Sequence, residues 1–164
     1  MKIIKPFFWV VAMVSVAACA DNHKMVAQSA ITVDVLQAGI QCGGNAVDVN
    51  ARWIESATEL ESFSRQRNLA IVDVDFAKSM VLLVEMGEKP TLGYRLGLAQ
   101  SEAQVIEGRA ELILEWQEPP RDMMVGQMMT SPCILLKLPR DHYQEVRVKD
   151  HLGNQKVTLS APTF

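Results

Sequence analysis

The chain has 164 residues, with 16 basic against 19 acidic side chains and a formal charge of -3. That length suits one domain with a core of its own, and the acidic balance excludes a nucleic-acid surface, which requires clustered Lys and Arg.

Residues 1–19, MKIIKPFFWVVAMVSVAAC, place Lys2 and Lys5 ahead of an apolar stretch from Pro6 to Ala18. The stretch is too short to span a bilayer as a mature helix, so residues 1–18 read as an export signal. Val16-Ala17-Ala18-Cys19 resembles the bacterial lipobox, in which the cysteine is lipidated and becomes the new N-terminus. The alternative is an ordinary secretory signal whose small-residue cleavage site adjoins a cysteine. Lipidation at Cys19 predicts a protein that sits on a membrane without crossing it, because two or more acyl chains hold stably. Ala20 follows Cys19 where an inner-membrane retention signal would have aspartate. By resemblance to the sorting pattern of Gram-negative lipoproteins, this implies the outer membrane, facing the periplasm. Losing residues 1–18 removes Lys2 and Lys5 and no acidic residue, so 14 basic residues remain against 19 acidic and the charge becomes -5. Residues 19–29 are mostly polar and small and read as a tether, with His23 solvated in it. Residues 30–164 form the expected single domain.

Within that domain, Ile31, Val33 and Val35 alternate with Thr32 and Asp34, predicting a strand with one apolar face. A Gly43-Gly44-Asn45 turn follows. Ser56-Ala57-Thr58-Glu59 is a capping-box pattern, and Leu60, Phe63 and Arg67 fall on one face of a helix ending near Asn68. Asp73 and Asp75 read as solvent-facing residues at a strand start. Met80 to Val84 is apolar at every position, which suits a central strand. After the Gly87 to Gly93 turn region, Ala110, Leu112, Leu114 and Trp116 alternate with Arg109, Glu111, Ile113 and Glu115. Pro119-Pro120 ends that run. Met123, Met124, Met128 and Met129 surround Val125-Gly126-Gln127, and are read first as core filling and second as an adaptable partner surface. Trp53 and Trp116 are expected in the core. Ile134, Leu136 and Leu138 predict another strand, and Val146 with Val148 a further one, followed by a Leu152-Gly153-Asn154-Gln155 turn. The expectation is a mainly β domain, a β-sandwich or open barrel, with one short helix near its start.

The chain has no convincing catalytic set. His142 and His151 are nine residues apart with no carboxylate or cysteine at ligand spacing, so no metal and no cofactor is expected. There is no G-x-S-x-G, S-x-x-K or H-E-x-x-H, no phosphate-binding glycine loop, and Cys133 with His142 lacks any local protease signature. The protein is therefore expected not to be an enzyme. With Cys19 lipidated, Cys42 and Cys133 remain. An oxidising periplasm favours pairing them, which would close a loop of about 91 residues, and the alternative is two buried thiols acting as small hydrophobes.

The loop Gly87-Glu88-Lys89-Pro90-Thr91-Leu92-Gly93-Tyr94 invites a binding interpretation. Pro90 fixes its own φ and holds Lys89 extended, Gly93 permits positive φ, and Tyr94 can bury its ring. A loop so preorganised loses little entropy on meeting a partner. The other reading is a purely structural turn.

From about Ser56 to Val148 the chain resembles the PrcB family, whose C-terminal domain occurs in bacterial secreted and lipidated proteins. The matching elements are the helix after Ser56, Val74-Asp75-Phe76, the 87–94 loop, Gln127-Met128-Met129-Thr130-Ser131-Pro132, and the strand closed by Leu138-Pro139. Leu92 stands where the family has a second glycine, Gly126 where a small hydroxyl residue is common, and Cys133 where an aromatic follows Thr-Ser-Pro. The resemblance implies a non-catalytic partner that stabilises, assembles or regulates an extracytoplasmic protease. The segments it points to are the loop with Lys89, Pro90, Thr91, Gly93 and Tyr94 and the 126–133 segment with Gln127, Thr130, Ser131 and Pro132. Pro90-Thr91-x-Gly93-Tyr94 is also similar to one loop of chagasin-type cysteine-protease inhibitors, with Lys89 in place of that loop's asparagine. A structural envelope lipoprotein without any protease connection is the other expectation.

Overall fold

The computed structural model describes residues 28–43, 46–67, 69–70, 72–141 and 143–162. The expected export signal and lipid-attachment residue Cys19, with His23 and His142, lie outside these residues, as do Gly44, Asn45 and Asn68.

In chain order the elements are β1 (Gln28–Thr32), β2 (Asp34–Gly39), β3 (Asn50–Ile54), α1 (Ala57–Gln66), β4 (Ser79–Glu85), β5 (Arg95–Leu98), β6 (Glu102–Ile106), β7 (Arg109–Gln117), β8 (Cys133–Pro139), β9 (Glu145–Asp150) and β10 (Gln155–Ser160). They form two sheets. The first runs β1-β6-β7-β9-β10, with β5 also paired to β7; the second runs β2-β8-β4-β3. β6 pairs with the first residues of β7 and β5 with its last, Arg95 opposite Gln117 and Leu98 opposite Leu114. The β7–β9 pairing is parallel, Arg109 opposite Glu145.

Alternation decides which side of each strand meets the core. Along β7, Ala110, Leu112, Leu114 and Trp116 are buried and the residues between them are not. Val146 and Val148 of β9 do the same. These side chains meet Met80, Leu82 and Val84 of β4 and Ile134, Leu136 and Leu138 of β8 in one core between the sheets. On the outer face of the first sheet, Lys149 reaches Glu111 at 2.7 Å and Arg147 reaches Glu145 at 2.6 Å. The domain is thus a β-sandwich with one short helix, as its alternating runs predict.

The unbroken apolar run of β4 has a direct cause. Its alternate residues Val81 and Leu83 face the other way, into a second cluster with Leu135, Ile54 and the helix residues Leu60 and Phe63. Covered by a sheet on one side and α1 on the other, β4 has no solvent face to make polar. At the start of α1 the Ser56 hydroxyl accepts from the Glu59 amide at 3.2 Å, and the Glu59 carboxylate accepts from Glu55 N–H at 3.1 Å and from Arg52 at 2.7 Å. The carboxylate thus serves the residue before the cap rather than the cap itself.

Three expectations change. Ile31 to Val35 is not one strand: the chain leaves the first sheet after β1 and enters the second at β2, and the Val33 amide bonds Ser101 O at 2.8 Å in between. Ile31 and Val33 are buried while Val35 is exposed, so the alternation ends where the sheets change. The tether expected to reach Ser29 ends earlier, because Gln28 and Ser29 already pair with Ile106 and Val105; ladder hydrogen bonds come from the backbone and need no apolar side chain. Trp53 is only partly buried, with its indole N–H donating to Ser160 O at 2.8 Å, whereas Trp116 is in the core as expected.

Candidate functional site

Beyond the ends of β4 and β8 the second sheet continues as paired loops. Lys89 and Thr130 exchange both backbone hydrogen bonds, at 2.8 Å each, and Met86 N–H donates to Pro132 O at 2.9 Å. On the side of β3, Glu88 N–H donates to Ala46 O at 2.9 Å; on the side of β2, Ser131 N–H donates to Ile40 O and Cys42 N–H to Ser131 O, at 2.9 and 3.0 Å. Four chain segments are thereby laid edge to edge in the order of the strands they extend. The 87–94 loop and the 126–132 segment, 39 residues apart at the Thr91–Thr130 contact, form one unit.

Side chains lock this unit. Thr130 is buried, and its hydroxyl donates to Thr91 O at 3.1 Å. The Ser131 hydroxyl accepts from Gly43 N–H at 2.9 Å, and the Gln41 amide donates to Met129 O at 2.8 Å. Leu92 N–H donates to Gly126 O at 2.9 Å. Gly87 has φ +79, and a Cβ there would lie 2.5 Å from Val47 O. Gly93, at φ +99, presses against Pro119, where a Cβ would lie 2.9 Å from the proline Cβ, and a Cβ at Gly126 would require the Leu92 side chain to shift.

Underneath, Cys42 and Cys133 are joined in a disulfide with Cα atoms 5.9 Å apart. Both cysteines are fully buried. Arg67, which caps the end of α1, donates to Cys42 O at 3.2 Å and to buried Glu85 at 2.5 Å, and stacks 4.6 Å from the Phe63 ring centre. Helix, disulfide and loops are tied at this point.

The residues expected to contact a partner therefore divide. Thr130 and Pro132 are buried, and Ser131 uses its hydroxyl internally, so these three build the platform and not its contact surface. A buried hydroxyl has to find its partner inside the fold. Pro90 and Gln127 are exposed, and half-buried Lys89 holds its ammonium 5.9 Å from the Tyr94 ring centre. Tyr94 packs its ring against the core.

The expectation that the clustered methionines fill the core is overturned. Met123, Met124, Met128 and Met129 are 59%, 99%, 44% and 57% exposed, and Val47 beside Gly87 is 73% exposed. None of the four belongs to the buried clusters of the fold. The signal was present in the sequence: four methionines in seven residues follow neither the period of a strand nor that of a helix.

Other features stand apart from these loops. A shallow depression of about 470 Å³ is lined by Trp116, Glu115, Glu118 and His151, and another of about 420 Å³ by Arg52, Glu59 and Phe63. Among the described residues, no three His, Cys, Asp or Glu side chains are placed to hold a metal ion. Asp73 and Asp75 are exposed, Asp75 accepting from Ala77 N–H at 3.0 Å in the turn before β4. At the β9–β10 turn, the hydrogen bond from the Asn154 side chain is the main cause holding the Asp150 carboxyl well below its ordinary range, with help from Lys156 and the Asn154 and Leu152 amides. Burial, with Asp141 adding, pushes the Tyr143 phenol above its ordinary value, and its hydroxyl donates to Pro139 O at 2.9 Å. The loop platform thus has a pinned backbone and soft apolar side chains facing out, an arrangement suited to docking.

Residues 80–139, from β4 to the end of β8, match the family model described as PrcB C-terminal. No curated protein and no solved structure matches the chain.

Proposed function

Residues 80–139 match the PrcB C-terminal family model, and on that likeness we propose that the chain is a non-catalytic, lipid-anchored envelope protein that binds an extracytoplasmic protease and stabilises, assembles or regulates it. Contact runs through the 87–94 loop and the neighbouring segment, with Lys89, Pro90, Gln127 and the four methionines facing the partner. Cys19 carries the lipid, and the domain faces the periplasm from the outer membrane. The observation that carries the reading is the pairing of the two loops through Lys89 and Thr130 under a rim of exposed methionines. Methionine adapts its shape to a partner and gains contact area without a fixed geometry.

The test is crosslinking capture from an envelope extract, with the wild-type chain beside a variant carrying Lys89→Ala and Met128→Ser. Recovery of a protease with the wild type and its loss with the variant is the expected result. Identical proteins from both would place the contact elsewhere. An activity assay on the captured protease then separates a stabilising subunit from an inhibitor of the chagasin kind.

A second reading, an envelope lipoprotein with no protease connection, is favoured by the internal use of the Thr130 and Ser131 hydroxyls. On that reading the same variant changes melting temperature and captures nothing different.

A further inference from the structure

The exposed methionines differ from other surface residues in their chemistry. A thioether is oxidised to a sulfoxide by two-electron oxidants, and this turns an apolar side chain into a polar one; methionine sulfoxide reductases reverse it. Susceptibility follows exposure. Met123, Met124, Met128 and Met129 are 44% to 99% exposed, while Met80 and Met86 are fully buried. Cys42 and Cys133 are already oxidised to the disulfide and so do not compete for the oxidant as thiols.

The backbone of the methionine segment is pinned by groups that oxidation leaves alone. Gly126 O accepts from Leu92 N–H, Met129 O accepts from Gln41, and Thr130 is paired with Lys89. The thioethers can change without taking the fold with them.

We propose that Met123, Met124, Met128 and Met129 are a reversible oxidation site that switches the docking surface off. The proposal rests on the docking reading above. Hypochlorous acid is the oxidant by chemical class. In net terms each sulfur loses two electrons and gains one oxygen, and the oxidant leaves as chloride and a proton. Sulfoxide formation on several side chains of an apolar contact surface weakens docking by about tenfold or more. Reduction by the sulfoxide reductases restores it.

Tryptic peptides make the test direct, because, among the described residues, 122–137 contains the four exposed methionines and 79–95 the two buried ones. The full chain, extracted from membranes in detergent, is treated with a few equivalents of hypochlorous acid, divided, and both mapped and used as bait in the capture experiment. The expected result is oxygen uptake in peptide 122–137 before peptide 79–95, an unchanged melting temperature, loss of the captured partner, and its return after reductase treatment. A variant with all four methionines replaced by leucine should keep its partner under the same oxidant. Equal oxidation of both peptides, or capture unaffected by oxidation, overturns the switch while leaving the docking reading standing. Failure of the untreated wild type to capture any partner sinks the docking reading and the switch together.

Discussion

Lys89 and Thr130 face each other as an antiparallel pair that exchanges two 2.8 Å backbone hydrogen bonds. Through this pair, the lysine of the 87–94 loop and the threonine of the 126–132 segment belong to one continuation of the β4–β8 ladder. The pair satisfies the backbone of both residues within the fold, and the neighbouring Met128 and Met129 side chains are exposed.

Thr130→Val keeps shape and burial but removes the hydroxyl that bonds Thr91 O. The expected loss is about 1 to 2 kcal/mol in urea denaturation, for one buried hydrogen bond and an acceptor left without its donor. Capture of a partner by the folded variant should not change, since Thr130 presents no surface.

Gly87→Ala and Gly153→Ala form a matched pair. Both glycines have positive φ, +79 and +86, but a Cβ at Gly87 would meet Val47 O at 2.5 Å whereas nothing lies within 4 Å at Gly153. Gly153→Ala should cost about 1 to 2 kcal/mol of backbone strain alone. Gly87→Ala should cost more, about 3 kcal/mol or above, since carbonyl groups cannot step aside without moving the 46–48 segment. Equal losses in thermal denaturation would show that the Gly87 contact relaxes freely.

Removing the disulfide with Cys42→Ala and Cys133→Ala releases a constraint spanning 91 residues of sequence. The chain-entropy model puts the loss at roughly 4 to 5 kcal/mol. Mass spectrometry of the alkylated, non-reduced protein should find neither cysteine modified.

The Asp150 carboxyl is held low by the donors around it, Asn154 first. A carboxylate whose pKa is lower folded than unfolded contributes stability at pH values above its unfolded pKa, about 4. That contribution is lost as pH falls toward the folded value. Melting temperature of the wild type should therefore drop more steeply between pH 5 and about 3 than that of Asp150→Asn. Parallel curves would mean that the turn does not depend on the charge.

How much was legible in the sequence depended on whether local pattern or long-range pairing decided the outcome. The β7 and β9 alternations, the β4 run and the Ser56 cap were readable, because each reports the immediate surroundings of its own segment. The split of Ile31 to Val35 between two sheets was not, since alternation gives no sign of which sheet a residue joins. The two motif loops could be singled out as a pair, but their roles could not be divided. Thr130 and Pro90 look equally like loop residues in sequence, and only the Lys89 pairing buries one and leaves the other in solvent. The methionines were misplaced because their residue type favours a core, and the absence of periodicity was the better guide.

The most direct test of the docking account places a photo-activated crosslinking residue at Met128 in one chain and at Glu107 in another. Glu107 sits in the β6–β7 turn, at the opposite end of the nine-residue β7 from Pro119 and the loop platform. In cells, the account predicts a crosslink to a protease from position 128 and none from position 107. A protease crosslinked from 107 and not from 128 would contradict it.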